Sequence, residues 1–143
     1  MKKSTLIMIS VAVALLILAS GSVYAQIQSR SIKAEIPFDF TIGDKLHPAG
    51  NYTATPLANS SILRVRATEN AEATAVGTIA VEAANNNEVK PMFVFRRYGN
   101  QYFLAEVWMG LGNKTGCELP KLAKERQVAK AQPKPELIMV AAK

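Results

Sequence analysis

Residues 92–109 constrain the fold of this chain more than any other segment. Two runs rich in aromatic and β-branched residues flank the dipeptide Gly99-Asn100, and a glycine at the first position of a two-residue turn supplies the positive φ that a tight hairpin requires. The segment therefore predicts a β-hairpin. The register set by this turn pairs Tyr98 with Gln101, Arg97 with Tyr102, Phe95 with Leu104, and Phe93 with Glu106.

Both faces of the predicted hairpin are largely apolar. One face carries Phe93, Phe95, Arg97, Tyr102, Leu104, Glu106 and Trp108. The other face carries Met92, Val94, Arg96, Phe103, Ala105, Val107 and Met109. A hairpin with two apolar faces has to be covered on both sides, as in a sandwich, a barrel or a sheet packed by a helix. We therefore expect the hairpin to lie at the centre of the fold.

The segments before the hairpin also have the residue patterns of β-strands. Residues 32–42 alternate strictly between apolar and polar side chains, which predicts one strand with a buried face. Pro37 has no backbone N–H, so we expect this strand at the edge of a sheet. Further strands are predicted over residues 51–56, 62–65 and 73–82, with turn-forming residues between them.

The segments after the hairpin complete the predicted fold. A Gly-rich loop is predicted over residues 110–116, and a helix over residues 119–131 with Pro120 in its first turn. Residues 132–143 are predicted to be a Pro-rich linker and a short apolar tail. We predict an all-β domain over residues 26–131, an antiparallel sandwich or small barrel of about six or seven strands with one C-terminal helix.

The first 25 residues have the pattern of a secretory signal peptide. Lys2 and Lys3 precede an apolar run over residues 6–19, and small residues flank Tyr24 where a signal peptidase cleaves. The apolar run has about 14 residues and is therefore shorter than the roughly 20 residues of a membrane-spanning helix. The alternative to a cleaved signal peptide is an uncleaved membrane anchor. We expect cleavage between Ala25 and Gln26, which lowers the net charge from +6 to +4 and leaves no stable membrane span in a periplasmic or extracellular protein.

The composition excludes several kinds of chemistry. The one histidine, His47, rules out a multi-histidine metal site, and we expect no metal and no cofactor. Residues 110–116 resemble a phosphate-binding loop, but Trp108 and Asn113 stand where a P-loop requires glycines. The basic residues are too sparse for a nucleic-acid site. Their excess instead fits a solvated surface with weak attraction to anionic polymers of the cell envelope.

Cys117 is the single cysteine of the chain, so an internal disulfide is excluded. In an oxidising compartment such a free thiol is a buried inert residue, half of an intermolecular disulfide, or a reactive group. We expect burial as a small apolar residue, with oligomerisation through an intermolecular disulfide as the alternative. A catalytic nucleophile would normally need a histidine base, and His47 is the single candidate.

Three motifs resemble a group of small secreted bacterial proteins. The first is the IPFDF…G…PAG-x-Y pattern of residues 36–52, the second is the RYG…YFL…VW pattern of residues 97–108, and the third is the ELPK segment of residues 118–121. The likeness covers residues 32–130. Because the group has no established activity, the resemblance implies a self-contained exported β-domain and no catalytic residues.

We expect a non-enzymatic binding or structural module whose partner is an envelope protein or polymer. The predicted ligand or partner surface consists of Arg97, Tyr102, Glu106 and Trp108. The β-prone tail residues are Leu137, Ile138, Met139 and Val140. This tail either donates a strand to a neighbouring subunit, which would form an oligomer, or completes the sheet of its own chain, or stays disordered.

Two alternatives belong to other functional classes. An envelope polysaccharide hydrolase would use a pair of carboxylates that includes Glu106, and it requires a second carboxylate at catalytic separation. A small-ligand carrier would bind its ligand in a barrel mouth between Phe93, Phe95, Tyr102 and Trp108.

Overall fold

The computed structural model describes residues 30–57, 61–84, 88–110, 112 and 114–143, and within these ranges the chain forms eleven strands and one helix. The strands are β1 (Ile32–Ile36), β2 (Phe40–Ile42), β3 (Lys45–His47), β4 (Gly50–Pro56), β5 (Ile62–Ala67), β6 (Ala73–Gly77), β7 (Ile79–Glu82), β8 (Met92–Tyr98), β9 (Gln101–Trp108), β10 (Thr115–Glu118) and β11 (Glu136–Ala141). The helix α1 is Ala123–Ala131. The predicted signal peptide and its cleavage site between Ala25 and Gln26 lie outside the described residues.

The strands form two sheets that share one hydrophobic core. The small sheet has the order β1-β4-β5-β6, and the large sheet has the order β11-β8-β9-β10-β7, with β2 beside β9 and β3 beside β2. The pairings between described strands are antiparallel, except that β2 runs parallel to β9, where Thr41 lies opposite Phe103. The predicted all-β fold with one helix near the C-terminus is therefore confirmed, as a small sandwich and not a closed barrel.

Two segments predicted to be single strands instead cross from one sheet to the other. Residues 32–42 form β1 in the small sheet and β2 in the large sheet, and they separate at Pro37, which has no N–H to donate to a ladder. Residues 73–82 form β6 and β7 in the same two sheets, and they separate at Thr78, whose N–H donates to the Ser61 carbonyl. Strands that change sheets build the corners of a sandwich, which explains both corrections.

The core between the sheets has aromatic rings at its centre. Phe40, Phe93 and Phe95 are fully buried. The ring of Phe40 meets that of Phe95 edge-on at 5.3 Å and that of Tyr52 edge-on at 4.9 Å, measured between ring centroids. Edge-to-face pairs of this kind stabilise a core by about 0.5–1.5 kcal/mol beyond the burial of their area.

A β-bulge shifts the register of the central hairpin. The turn and the three predicted pairs nearest to it are confirmed, with Gly99 at φ +59°. Beyond Phe95 the register slips, so that Val94 pairs with Glu106, and Phe93 pairs with Val107 and not with Glu106. One extra residue in β9 accounts for the slip, and it moves every later side chain of β9 to the opposite face.

The C-terminal region also differs from its prediction. The predicted loop over residues 110–116 runs into β10, which pairs with both β9 and β7. The helix begins at Ala123, beyond Pro120, and Leu119 enters the core instead of a helix turn. The tail residues lie in β11, which pairs with β8, so the alternative in which the tail completes its own sheet is confirmed and the tail is part of the sandwich.

A buried ion pair attaches α1 to the large sheet. Glu125 is the buried residue of the helix, and its carboxylate accepts hydrogen bonds from Arg96 Nε at 2.5 Å and Arg96 Nη2 at 3.1 Å. The Tyr98 hydroxyl donates to the same carboxylate at 3.1 Å, and Arg96 Nη2 also donates to the Leu119 carbonyl at 3.1 Å.

No helix in the described ranges has the length and the apolar composition that a membrane crossing requires.

Candidate functional site

The outer face of the large sheet, which points away from the core, has a covered half and an uncovered half. The helix covers the half around Arg96, which it contacts through Glu125. The bulge places Glu106 and Trp108 on this same outer face, beside Val94. These three residues lie in the half that the helix leaves uncovered, and this half forms the strongest candidate site in the described residues.

The uncovered half is an apolar depression of about 250 Å³, which we call the outer groove. Its apolar lining includes Val89, Met92, Val94, Trp108, Leu137 and Met139. Val94 and Trp108 form the floor and are 3% and 9% exposed, whereas Leu137 and Met139 on β11 are 55% and 65% exposed. A contiguous exposed apolar patch bordered by polar residues is typical of a surface that binds a partner.

The indole of Trp108 is fixed in the groove from two sides. Its Nε1–H donates to Glu106 Oε2 at 2.7 Å. Its ring lies against Gly116, the residue opposite it on β10, so closely that a Cβ at position 116 would stand 2.8 Å from the ring. A tryptophan with its N–H satisfied and its ring packed presents a rigid apolar surface to a ligand.

The charged groups of the outer groove are acidic. Glu82 and Glu106 line it together with the apolar residues. Glu118 of β10 lies opposite Glu106 in the register, and residues directly opposite in an antiparallel pair point to the same face. The groove therefore combines apolar contact area with negative charge, which suits a ligand that carries apolar and cationic groups side by side.

The structure does not bring together the four residues of the predicted partner surface. Glu106 and Trp108 lie in the outer groove, while Arg97 and Tyr102 lie on the other side of the sheet. There the Tyr102 ring stacks on Phe38 at 3.9 Å between centroids, and Arg97 pairs with Glu136 at 3.2 Å. The predicted single surface is therefore wrong, because the prediction assumed a hairpin without a bulge.

Ligand binding between Phe93, Phe95, Tyr102 and Trp108 also fails on this geometry. Phe93 and Phe95 are fully buried in the core. Trp108 is on the opposite face of the sheet. The four side chains therefore line no common cavity in the described part of the chain.

The tail residues alternate between the two faces of the large sheet. Ile138 and Val140 pack against the core, and Leu137 and Met139 line the outer groove. The sequence interpretation found these residues but not their role, and it missed Glu82 and Val89 of the groove lining. The signal that could have found the groove is the apolar character of both faces in the hairpin and in the tail, since the core can cover only one of them.

Cys117 is half-buried on β10 and packs against the core. Burial raises the pKa of its thiol, and a hydrogen bond involving Thr78 partly opposes this rise. A thiol with a raised pKa forms little thiolate at neutral pH, which makes it a poor nucleophile. The half-buried position agrees with the expected packing of Cys117 as a small apolar residue, and its reactivity stays a prediction.

His47 is buried at the end of β3. Its ring stacks on Phe40 at 5.5 Å, and its Nε2 lies 3.2 Å from the Thr74 hydroxyl. Burial lowers the pKa of His47, the nearby Lys45 lowers it further, and Glu72 partly opposes these effects. These contacts and its burial make His47 part of the core packing. The described residues hold no group of three or more side chains that could bind a metal ion.

Comparison of the chain with family models, with curated proteins and with solved structures finds no match.

Proposed function

We propose that this chain is an exported, non-enzymatic binding module of the cell envelope, which holds an apolar segment of a partner protein in the outer groove. The observation that carries the proposal is the pair of open side chains, Leu137 and Met139, beside a fixed Trp108 on one rigid sheet. A tryptophan at the centre of an apolar depression is a typical anchor point of a protein interface.

The exposed apolar area and the volume of the groove fit an apolar segment of a protein. Complete burial of a Leu or Met side chain stabilises a complex by about 1.5–3 kcal/mol each. Leu137 and Met139 are more than half exposed, so covering them yields a useful part of this free energy. The flexible thioether of Met139 also adapts to side chains of different shape. A depression of about 250 Å³ holds one or two side chains of a peptide and is smaller than most sites for drug-sized ligands.

The charge of the groove supports a ligand of defined chemistry. Glu82 and Glu106 line the depression and Glu118 lies opposite Glu106. Like charges on neighbouring strands repel, and a cationic group of the ligand would relieve that repulsion. The proposed ligand is therefore an apolar segment flanked by Lys or Arg.

The N-terminal sequence supports export. The basic start, the apolar run over residues 6–19 and the small residues before Gln26 are the three features of a secretory signal peptide. The resemblance to small secreted bacterial proteins points to the same compartment. Intact mass of the protein from the envelope or the medium tests this part, and a mass that retains residues 1–25 would contradict it.

The groove is tested through Trp108, which is the single tryptophan of the chain and so reports on the groove alone. The probes are two synthetic peptides with the same Leu-rich centre, one flanked by lysines and the other by glutamates. We expect the lysine peptide to shift the Trp108 emission and to bind about tenfold more tightly than the glutamate peptide, since each tenfold corresponds to about 1.4 kcal/mol. Equal affinities would remove the charge argument.

Two variants distinguish binding in the outer groove from non-specific binding to any exposed apolar side chain. Met139→Gln replaces the apolar thioether in the groove by a neutral polar group, and Leu46→Gln makes the same kind of change at an apolar side chain of similar exposure, 61%, on β3. Binding of the lysine peptide should fall with Met139→Gln because the apolar contact is lost while the charge of the groove is unchanged. It should persist with Leu46→Gln, and equal binding by both variants would refute the groove.

A second candidate, an envelope polysaccharide hydrolase, is favoured by the position of Glu118 opposite Glu106. Two carboxylates on one face are the minimum that this chemistry requires, one as acid and one as base or nucleophile. The distinguishing measurement is the release of reducing ends from purified envelope polysaccharide. Release that is lost in Glu118→Gln would support the hydrolase, and no release from the unsubstituted protein would exclude it.

A further inference from the structure

The face of the small sheet that points away from the core is cationic. Lys33 of β1, Thr53 of β4 and Arg66 of β5 lie in one row across this sheet, and Thr55 and Arg64 lie in the next row. Lys33, Arg64 and Arg66 are exposed, and the two threonines are half-buried between them. Together with Thr68 these residues line a depression of about 390 Å³, which we call the basic face.

The three cations of the basic face make no ion pair with the described residues. The described ion pairs join Lys45 to Glu72, Arg96 to Glu125 and Arg97 to Glu136. Glu35 lies one row away from Lys33 on the same face, where the three cations outnumber it. The basic face therefore carries a net positive charge.

The spacing of the cations fits an extended ligand better than a small ion. Arg64 and Arg66 are two residues apart on one strand, which places their Cα atoms about 7 Å apart. Lys33 lies two strands away from Arg66, which is a separation of roughly 10 Å. Charges spread at such intervals pair with successive anionic groups of a polymer, whereas a single anion could reach only one or two of them.

The other side chains of the basic face decide the class of polymer. Thr53 and Thr55 place hydroxyl groups between the cations, and such hydroxyls exchange hydrogen bonds with the hydroxyls of sugars. Among the described residues no aromatic side chain lines the depression, so these residues offer no platform on which the bases of a single-stranded nucleic acid could stack. The face of a four-stranded sheet is also wider than the α-helix or two-stranded ribbon that the major groove of a duplex admits.

We propose that the basic face binds a linear anionic polysaccharide of the cell envelope. The ligand lies across β5 and β4 towards β1, with its anionic groups on Arg66, Arg64 and Lys33 and its hydroxyl groups on the threonines. The outward residues of β6 are Ala73, Ala75 and Gly77, which are exposed and small enough to let the polymer continue past the sheet. This surface is on the small sheet and the outer groove is on the large sheet, so the domain could hold a partner protein against the polymer.

The test uses the protein without residues 1–25 and three probes, namely polygalacturonate, neutral dextran of the same length, and a DNA duplex. We expect polygalacturonate to bind, with an affinity that falls as salt is raised, because exposed charges are screened. Dextran should not bind. No binding of polygalacturonate, or tighter binding of the DNA duplex, would overturn the proposal.

Two double variants with the same change in net charge supply the control. Arg64→Gln with Arg66→Gln removes two cations from the basic face, and Lys124→Gln with Lys130→Gln removes two exposed cations from α1. The first pair should weaken polygalacturonate binding about tenfold, and the second should change it less than about twofold. An equal loss in both would show attraction by net charge alone and would refute a site. Peptide binding in the outer groove should be unchanged in both, which separates this test from that of the proposed function.

Discussion

The buried ion pair between α1 and the large sheet makes a prediction about stability. The side chains of Arg96 and Glu125 are 9% and 4% exposed, and two hydrogen bonds of 2.5 and 3.1 Å join them. Glu125→Gln keeps the shape of the side chain and its acceptor for the Tyr98 hydroxyl, but it removes the negative charge. The variant therefore leaves a buried guanidinium without a counter-charge.

The expected cost is large, because an unpaired buried charge destabilises a protein by about 3–5 kcal/mol. A domain of roughly 115 residues unfolds with an entropy of about 0.25 kcal/mol/K, so the Tm should fall by about 12–20 °C. Replacing both partners, as in Arg96→Met with Glu125→Leu, removes both charges. That double variant leaves the Tyr98 hydroxyl and the Leu119 carbonyl without their hydrogen-bond partners, at a cost of about 1 kcal/mol each. Its free energy of unfolding should therefore fall by about 2 kcal/mol or less.

Urea unfolding, followed by circular dichroism and by Trp108 emission, measures these differences. The matched control is Glu136→Gln, which breaks the exposed pair with Arg97, where the Glu136 side chain is 64% exposed. This control should change the free energy of unfolding by less than about 1 kcal/mol. The reasoning is refuted if Glu125→Gln is as mild as the control. It is also refuted if the double variant loses as much stability as the single variants Arg96→Met and Glu125→Leu added together.

Three further predictions concern packing, pH and the last strand. Gly116→Ala should cost about 1–3 kcal/mol and shift Trp108 emission in urea unfolding, because the new Cβ meets the indole at 2.8 Å, whereas Gly77→Ala, with nothing within 4 Å, should be nearly neutral. The lowered pKa of His47 means that the unfolded chain takes up a proton at about pH 6.5 before the folded chain does, so stability falls as the pH drops below that value. Equilibrium unfolding at pH 7 and pH 5 should therefore show that His47→Gln loses less free energy of unfolding between these two pH values than the unsubstituted protein does. Deletion of residues 136–143 removes the strand that pairs with β8, and calorimetry should show no cooperative unfolding transition.

Local sequence patterns predicted the hairpin because its signals are local. A glycine in the turn and β-rich residues on both sides define the pairing near Gly99, and that pairing is the one the structure has. The same patterns could not locate the bulge, because Val107 enters the core only in the presence of the small sheet that packs over it. The prediction for Glu106 and Trp108 therefore failed in its choice of face and partners, although both residues do lie at the candidate site.

Local sequence patterns also could not predict which sheet each strand joins. The alternation of residues 32–42 is continuous, and only Pro37 hints at the point where the chain leaves the small sheet. Thr115–Glu118 contains a glycine and has weak strand propensity, yet it forms β10 because β9 and β7 supply hydrogen-bond partners on both of its sides. Such pairing depends on residues far away in the sequence.

Side-chain alternation and the φ angle that a glycine allows are enough to predict the all-β class, the central hairpin and its turn. Which apolar residues stay outside the core depends on how the two sheets and the helix pack together. Each sheet buries one of its faces against the other sheet, and α1 covers only part of the outer face of the large sheet. Trp108, Leu137 and Met139 are left together on the uncovered half by this geometry, and no local pattern distinguishes them from core residues.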